Sequence, residues 1–212
     1  TTQTASSSIF NGTENFNPGS TVRINRWSST ATPLINGVTS SFGHVILDYN
    51  TGSLWNNNGL GSTRIINGNL TITSNCETFL DNSNTDISIT IGGKLYVNGE
   101  LHIKDIGNGN TTLTVGDSLI VSGSSAYFIG VQDGNGDFTF NGQNVNLTGQ
   151  GRIRLIQDGN GNLVFNFNNF NHLSSEFYGI FNDESSNAGT ATFNGNNITY
   201  SDNYFILHYG CN

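Results

Sequence analysis

Charge is scarce in this chain. Seven Lys and Arg stand against 15 Asp and Glu in 212 residues, for a net charge of −8. Nucleic-acid binding rests on clustered basic side chains. The seven here form no run, so that class is excluded. Proline is confined to Pro18 and Pro33, and methionine is missing altogether. A chain that starts at Thr1 without methionine leads to the expectation of a mature secreted form whose leader has been removed; an expression fragment is the alternative. No apolar run approaches the ~20 residues of a membrane-crossing helix. No stretch keeps a convincing helical period, and neither a phosphate-binding loop nor a dinucleotide fingerprint is present.

Glycine, with 27 residues, is abundant, and Asn, Thr and Ser fill most polar positions. The apolar residues are periodic, which argues against disorder. Residues 86–97, 112–121 and 137–147 each spell an alternating strand, a tight Gly/Asn corner and a second alternating strand. The last apolar residue before each corner is Ile91, Val115, Phe140 or Phe165, at spacings of 24, 25 and 25. Ile66, Phe42 and Phe16 extend the series backwards and Phe193 forwards. These spacings predict that Ile91, Val115, Phe140 and Phe165 stack in one inward column. A third short strand follows in each unit, as at residues 101–103, 126–129, 152–155, 177–180 and 204–207. Period-2 alternation there turns Leu101 and Ile103 inward and His102 and Lys104 outward.

A repeat of this length must be read as an array. Three strands and three corners make one coil, and no coil buries its inner face alone. The expectation is an all-β, right-handed parallel β-helix (β-solenoid) of about eight coils of about 25 residues, the hand taken from parallel crossovers generally. Residues 1–15 read as a lead-in or cap and 16–212 as one solenoid domain.

The corner after the third strand is rich in Asn, Asp and Gly. Asp133, Asn135 and Asp137 alternate oxygen ligands like the start of a calcium loop, and Asp158 and Asn160 repeat them. No Glu follows at the twelfth position, so an EF-hand is excluded. The competing reading is turn chemistry, in which Asn and Asp bond their own backbone. Calcium is thus the one cofactor under consideration.

For an enzyme, Asn84-Thr85-Asp86 and Arg152-Ile153-Arg154 resemble short polygalacturonase motifs. That family's adjacent Asp pair and Gly-His-Gly are absent, and no carboxylate pair is selected for glycoside hydrolysis. His44, His102, His172 and His208 fall in different coils without ligand spacing. No catalytic residue is therefore assigned. Ice binding is a further class, because Thr71/Thr73, Thr112/Thr114 and Thr190/Thr192 are outward Thr-x-Thr pairs. A 25-residue period aligns Thr112/Thr114 with Asp137/Thr139, so charge breaks the ladder.

The phrases INGNLTI (66–72), IGGKLYV (91–97) and VGDSLIV (115–121) are similar to those of secreted bacterial cell-surface β-helix proteins, including filamentous adhesins. The likeness lies in repeat style and spans residues 40–200. It implies an extracellular or cell-surface location and a non-enzymatic structural or adhesive role, a filament subunit among the forms. The alternative is a polysaccharide-active β-helix lyase or hydrolase or a carbohydrate-binding module, for which polysaccharide would be the partner. Self-assembly is expected head-to-tail: Arg23 and Arg26 mark a weakly basic end, and Phe205 and Leu207 an apolar end with acidic surroundings. Cys76 and Cys211 lie about five coils, roughly 24 Å, apart. An intrachain disulfide is not expected, which leaves Cys211 free or bonded to another chain.

Overall fold

The computed structural model describes residues 16–25, 41–49, 52–57, 62–82, 84–174, 177–182, 189–200 and 205–209. Their strands form a parallel β-solenoid with turns of about 25 residues, and about 5 turns run from Leu70 to Phe193. Three faces wrap a single core. The first face stacks Ser62–Ile66, Ile87–Ile91 and the opening halves of Thr111–Ser122, Phe138–Gly149, Leu163–Ser174 and Ala191–Tyr200. The second stacks Thr21–Ile24, His44–Leu47, Leu70–Ile72, Leu95–Val97 and the closing halves of those same long strands. The third runs from Gly52–Asn57 through Glu77–Asn82, Glu100–Asp105, Tyr127–Gln132, Arg152–Gln157 and Phe177–Asn182 to Phe205–Tyr209.

Alternation builds the core. In Ile87–Ile91, residues 87, 89 and 91 are buried and 88 and 90 half-buried. Leu101 and Ile103 point inward and His102 and Lys104 outward, as the sequence predicts. The inner columns are aliphatic early and aromatic later. Phe128, Phe138, Phe140, Phe165 and Phe170 are all fully buried. Phe140 stacks on Phe165 at 4.3 Å between centroids, and Phe165 on Phe193 at 5.4 Å. From Thr111 onward the first two strands fuse into one long strand bent at the corner, 12 residues in three turns and 10 in Ala191–Tyr200.

The expected single column splits in two. Val115 lies beside Ile91, but Phe140 lies beside Leu113, which continues Ile89. Phe140, Phe165 and Phe193 thus belong to the Ile89 column. The cause is a long corner at residues 123–126. Leu119 faces Leu95, 24 residues back, whereas Tyr127 faces Glu100, 27 back. The turn lengths seen at the next corner are 24, 27, 25 and 28. A near-constant apparent period concealed two offsets. In the Ile91 column Gly142 takes the place beside Val115, and Gly195 that beside Phe167. A Cβ on Gly195 would come 2.0 Å from the Phe167 ring, so a missing side chain there makes room for a large one.

Glycine serves the third-to-first corner in another way. Backbones stack so closely that a Cβ on Gly134 would sit 2.1 Å from the carbonyl oxygen of Gly107. Inside this corner Gln132 donates from Nε2 to the carbonyls of Gly134 and Gly136, each at 2.8 Å. Gln157 repeats this one turn later with Gly159 and Gly161. Asp105 occupies the equivalent position one turn earlier.

Candidate binding face

The corrected register changes the outward surface of the first face. Thr112 and Thr114 align with Ser88 and Thr90 on one side, and with Thr139 and Asn141 on the other. The columns continue to Val164 and Asn166, then to Thr192 and Asn194. One column therefore reads Thr63, Ser88, Thr112, Thr139, Val164, Thr192; the other reads Ile65, Thr90, Thr114, Asn141, Asn166, Asn194. No charged residue falls in either. Asp137, expected to break the ladder, sits at the corner before the strand. Thr71 belongs to the second face, and Thr190 precedes the first-face strand Ala191–Tyr200. Parallel strands repeat at about 4.8 Å and alternate residues at about 6.8 Å. Apart from Ile65 and Val164, the two columns are thus an array of uncharged hydroxyl and amide donors and acceptors.

Asparagine takes over at the corner between the first and second faces. Asn194 donates to Asn166 and Asn166 to Asn141, each at 2.8 Å. A second ladder runs Asn196 to Asn168 to Gln143, and a third Asn197 to Asn169 to Asn144. A mid-ladder amide spends one N–H and one lone pair on its neighbours and keeps one of each for another partner. The first two ladders wall an open groove of about 670 Å³, with Val115, Gly142, Phe167, Phe193 and Gly195 among its lining. No acidic or basic side chain lines this groove.

The third face differs. Its outward positions carry Glu77, Phe79, Glu100, His102, Lys104, Tyr127, Arg152 and Arg154 alongside the aliphatic Ile129 and Val131. His102 lies against the Phe79 ring, 4.6 Å between centroids. Its Nε2 is 3.2 Å from Glu100 and 3.9 Å from Glu77. Lys104 pairs with Asp133 at 2.9 Å. Arg152 bonds the Tyr127 hydroxyl and lies over that ring.

The five residues considered for calcium all occupy the corner between the third and first faces. Asn135 donates to Asn108 at 2.7 Å and accepts from Asn160 at 3.0 Å. Asp137 accepts from the Asn162 backbone at 2.7 Å, and its own N–H donates to Asn110. Asp133 faces Lys104, and Asp158 is half-buried at the same corner. These are bonds between turns, so the side chains staple one coil to the next. Elsewhere among the described residues, Glu77, Glu100 and His102 bring two carboxylates and an imidazole together. Nothing in the sequence joined these three, because only strand register brings Glu77 beside Glu100.

At the ends, Arg23 pairs with Asp48 one turn away. Phe205 and Leu207 lie in the terminal strand of the third face, which pairs with Phe177–Asn182. Arg26, Cys211 and residues 1–15 fall outside the described residues. Cys76 is a buried free thiol, pushed up to about 11 by that burial. His44 accepts the Asn69 backbone N–H at 2.9 Å and so braces a corner. Arg64, unremarkable in sequence, lies in the inward column beside Ile89, and burial pulls its guanidinium below the usual range.

Fold and surface together define a parallel β-solenoid with chemically distinct faces. No family model, curated protein or solved structure matches the chain.

Proposed function

We propose that this is an extracellular, non-enzymatic adhesive solenoid that binds an uncharged polysaccharide along its first face and the adjoining corner groove. The observation carrying this reading is the groove lined by two amide ladders, one of which continues the Thr90–Thr114 column, beside a second column of mostly Ser and Thr. Sugar hydroxyls both donate and accept, and the ladder amides keep one of each function. The half-buried Phe193 supplies an apolar surface for a sugar ring. A lining without carboxylates suits binding rather than hydrolysis, which needs two of them across the bond. Depletion of the protein by insoluble cellulose, chitin and xylan tests the reading. Retention on at least one, lost in Asn166→Ala/Asn168→Ala, is expected; failure to bind any polysaccharide across a broad panel would sink it.

The corrected register favours a second reading, adsorption to ice. Two straight columns of small uncharged groups can order water in a repeating sheet. Partition into a growing ice front, without polysaccharide binding, would replace the first reading with this one. End-to-end contact between copies remains part of the proposal. Ile198 and Tyr200, which continue the inward columns of Phe170 and His172, are 47% and 56% exposed in the last described turn of the second face. Concentration-dependent growth in light scattering is the expected sign; a monomer at high concentration removes this element.

A further inference from the structure

We infer that Glu77, Glu100 and His102 form a binding site for a divalent transition-metal ion of the zinc type on the third face. The inference is independent of the polysaccharide reading, which concerns other faces. One oxygen from each glutamate and Nε2 of His102 all lie within 4.8 Å of one another. His102 Nε2 is 3.2 Å from Glu100 Oε2 and 3.9 Å from Glu77 Oε1. Donors around a tetrahedral zinc, each about 2.0–2.2 Å from the metal, stand roughly 3.3–3.5 Å apart. The trio therefore needs small side-chain rotations to close on an ion. Both carboxylates are more than a third exposed and free to make them.

The backbone fixes the arrangement. Glu100 and His102 are two apart on one strand and share its outward side. Glu77 is directly opposite Glu100 on the neighbouring strand. Like charges in that position repel, and the next cation along the strand, Lys104, is engaged with Asp133. The Phe79 ring, tilted 33° to the imidazole at 4.6 Å between centroids, supports it from one side. A separate feature supplies space. Glu77 and Glu100 border a hollow of about 530 Å³ shared with Ser74, Asn75 and Ser125. Open coordination positions can face that hollow and hold water or a ligand oxygen. One imidazole nitrogen with two carboxylates suits zinc better than calcium or magnesium, which prefer all-oxygen shells.

The competing account is His102 hydrogen-bonded to Glu100 beside Glu77, with no metal. Titration of the full chain with zinc, followed by calorimetry, separates the two; cobalt substitution adds a visible spectrum. One saturable zinc per chain, retained in excess calcium, is expected. His102→Ala and Glu100→Gln should each weaken binding at least tenfold with the circular dichroism spectrum unchanged. Should His102→Ala fail to fold, Glu100→Gln, which preserves shape, decides the matter. Absence of saturable zinc binding in the wild type, or undiminished binding in the folded variants, overturns the site.

Discussion

On the first face, outward positions from Ser88 to Asn194 hold hydroxyls, amides and one valine. On the third, those from Glu77 to Arg154 hold carboxylates, an imidazole, cations and aromatic rings together with the aliphatic Ile129 and Val131. Both faces alternate buried and half-buried residues, and both feed one core. Their difference is confined to side chains that do not pack inside. The inward half of each strand thus carries the fold, while the outward half is free to carry different chemistry on each side. Between neighbouring turns, the first face and its corner use amide ladders where the third uses ion pairs and ring contacts.

The largest perturbation should erase the comparison by striking the shared core. Phe140→Asp would bury a charge between Leu113 and Phe165. A loss of about 4 kcal/mol or more is expected, with both faces unfolding together. Denaturant unfolding followed by near- and far-ultraviolet circular dichroism checks this; a midpoint close to wild type would refute a common core.

The next test sharpens the comparison where the third face turns into the first. Asp105 is fully buried, and that burial raises its carboxyl from 3.8 to about 6, against smaller opposing pulls from Thr111 and Gly107. The native state therefore holds a proton that the unfolded chain has released between those values. Stability should fall as pH rises from about 4 to about 6 and level off above. Asp105→Gln would put a Gln where Gln132 and Gln157 already brace their corners. It should flatten that slope and gain about 1–3 kcal/mol at pH 7. Urea unfolding across this range reads both effects; an unchanged slope would show that another group titrates.

A third change isolates the outward half. Thr112→Lys/Thr139→Lys places two charges side by side in one first-face column. Binding to polysaccharide or ice should drop at least tenfold, with stability altered by no more than about 1 kcal/mol. Equal loss of stability and binding would mean the column is structural. The smallest effect is expected from Asn166→Ala alone, which removes bonds to Asn141 and Asn194. A cost of about 1 kcal/mol, measurable by thermal unfolding, suits one part-buried and one exposed amide bond.

Much of the architecture was legible because its signals are local. Alternation specifies which side chains point inward, and Gly and Asn mark the bends, so strands, corners and a period near 25 could be read from neighbouring residues. Asn135 and Asp137 were equally visible, but as a choice between turn chemistry and calcium; their bonds to Asn108, Asn160 and Asn162 join residues a full turn apart. The coil and its stacking follow from local alternation, since a strand with one apolar side cannot bury it alone. The register, by contrast, is set by contacts between turns. Extra residues at the corner 123–126 displaced Phe140 from Val115 to Leu113 and brought Thr139, not Asp137, beside Thr112. The same register set Glu77 against Glu100. Which side chains become neighbours between turns depends on the exact length of every corner between them, and a two-residue offset preserves alternation while changing every partner.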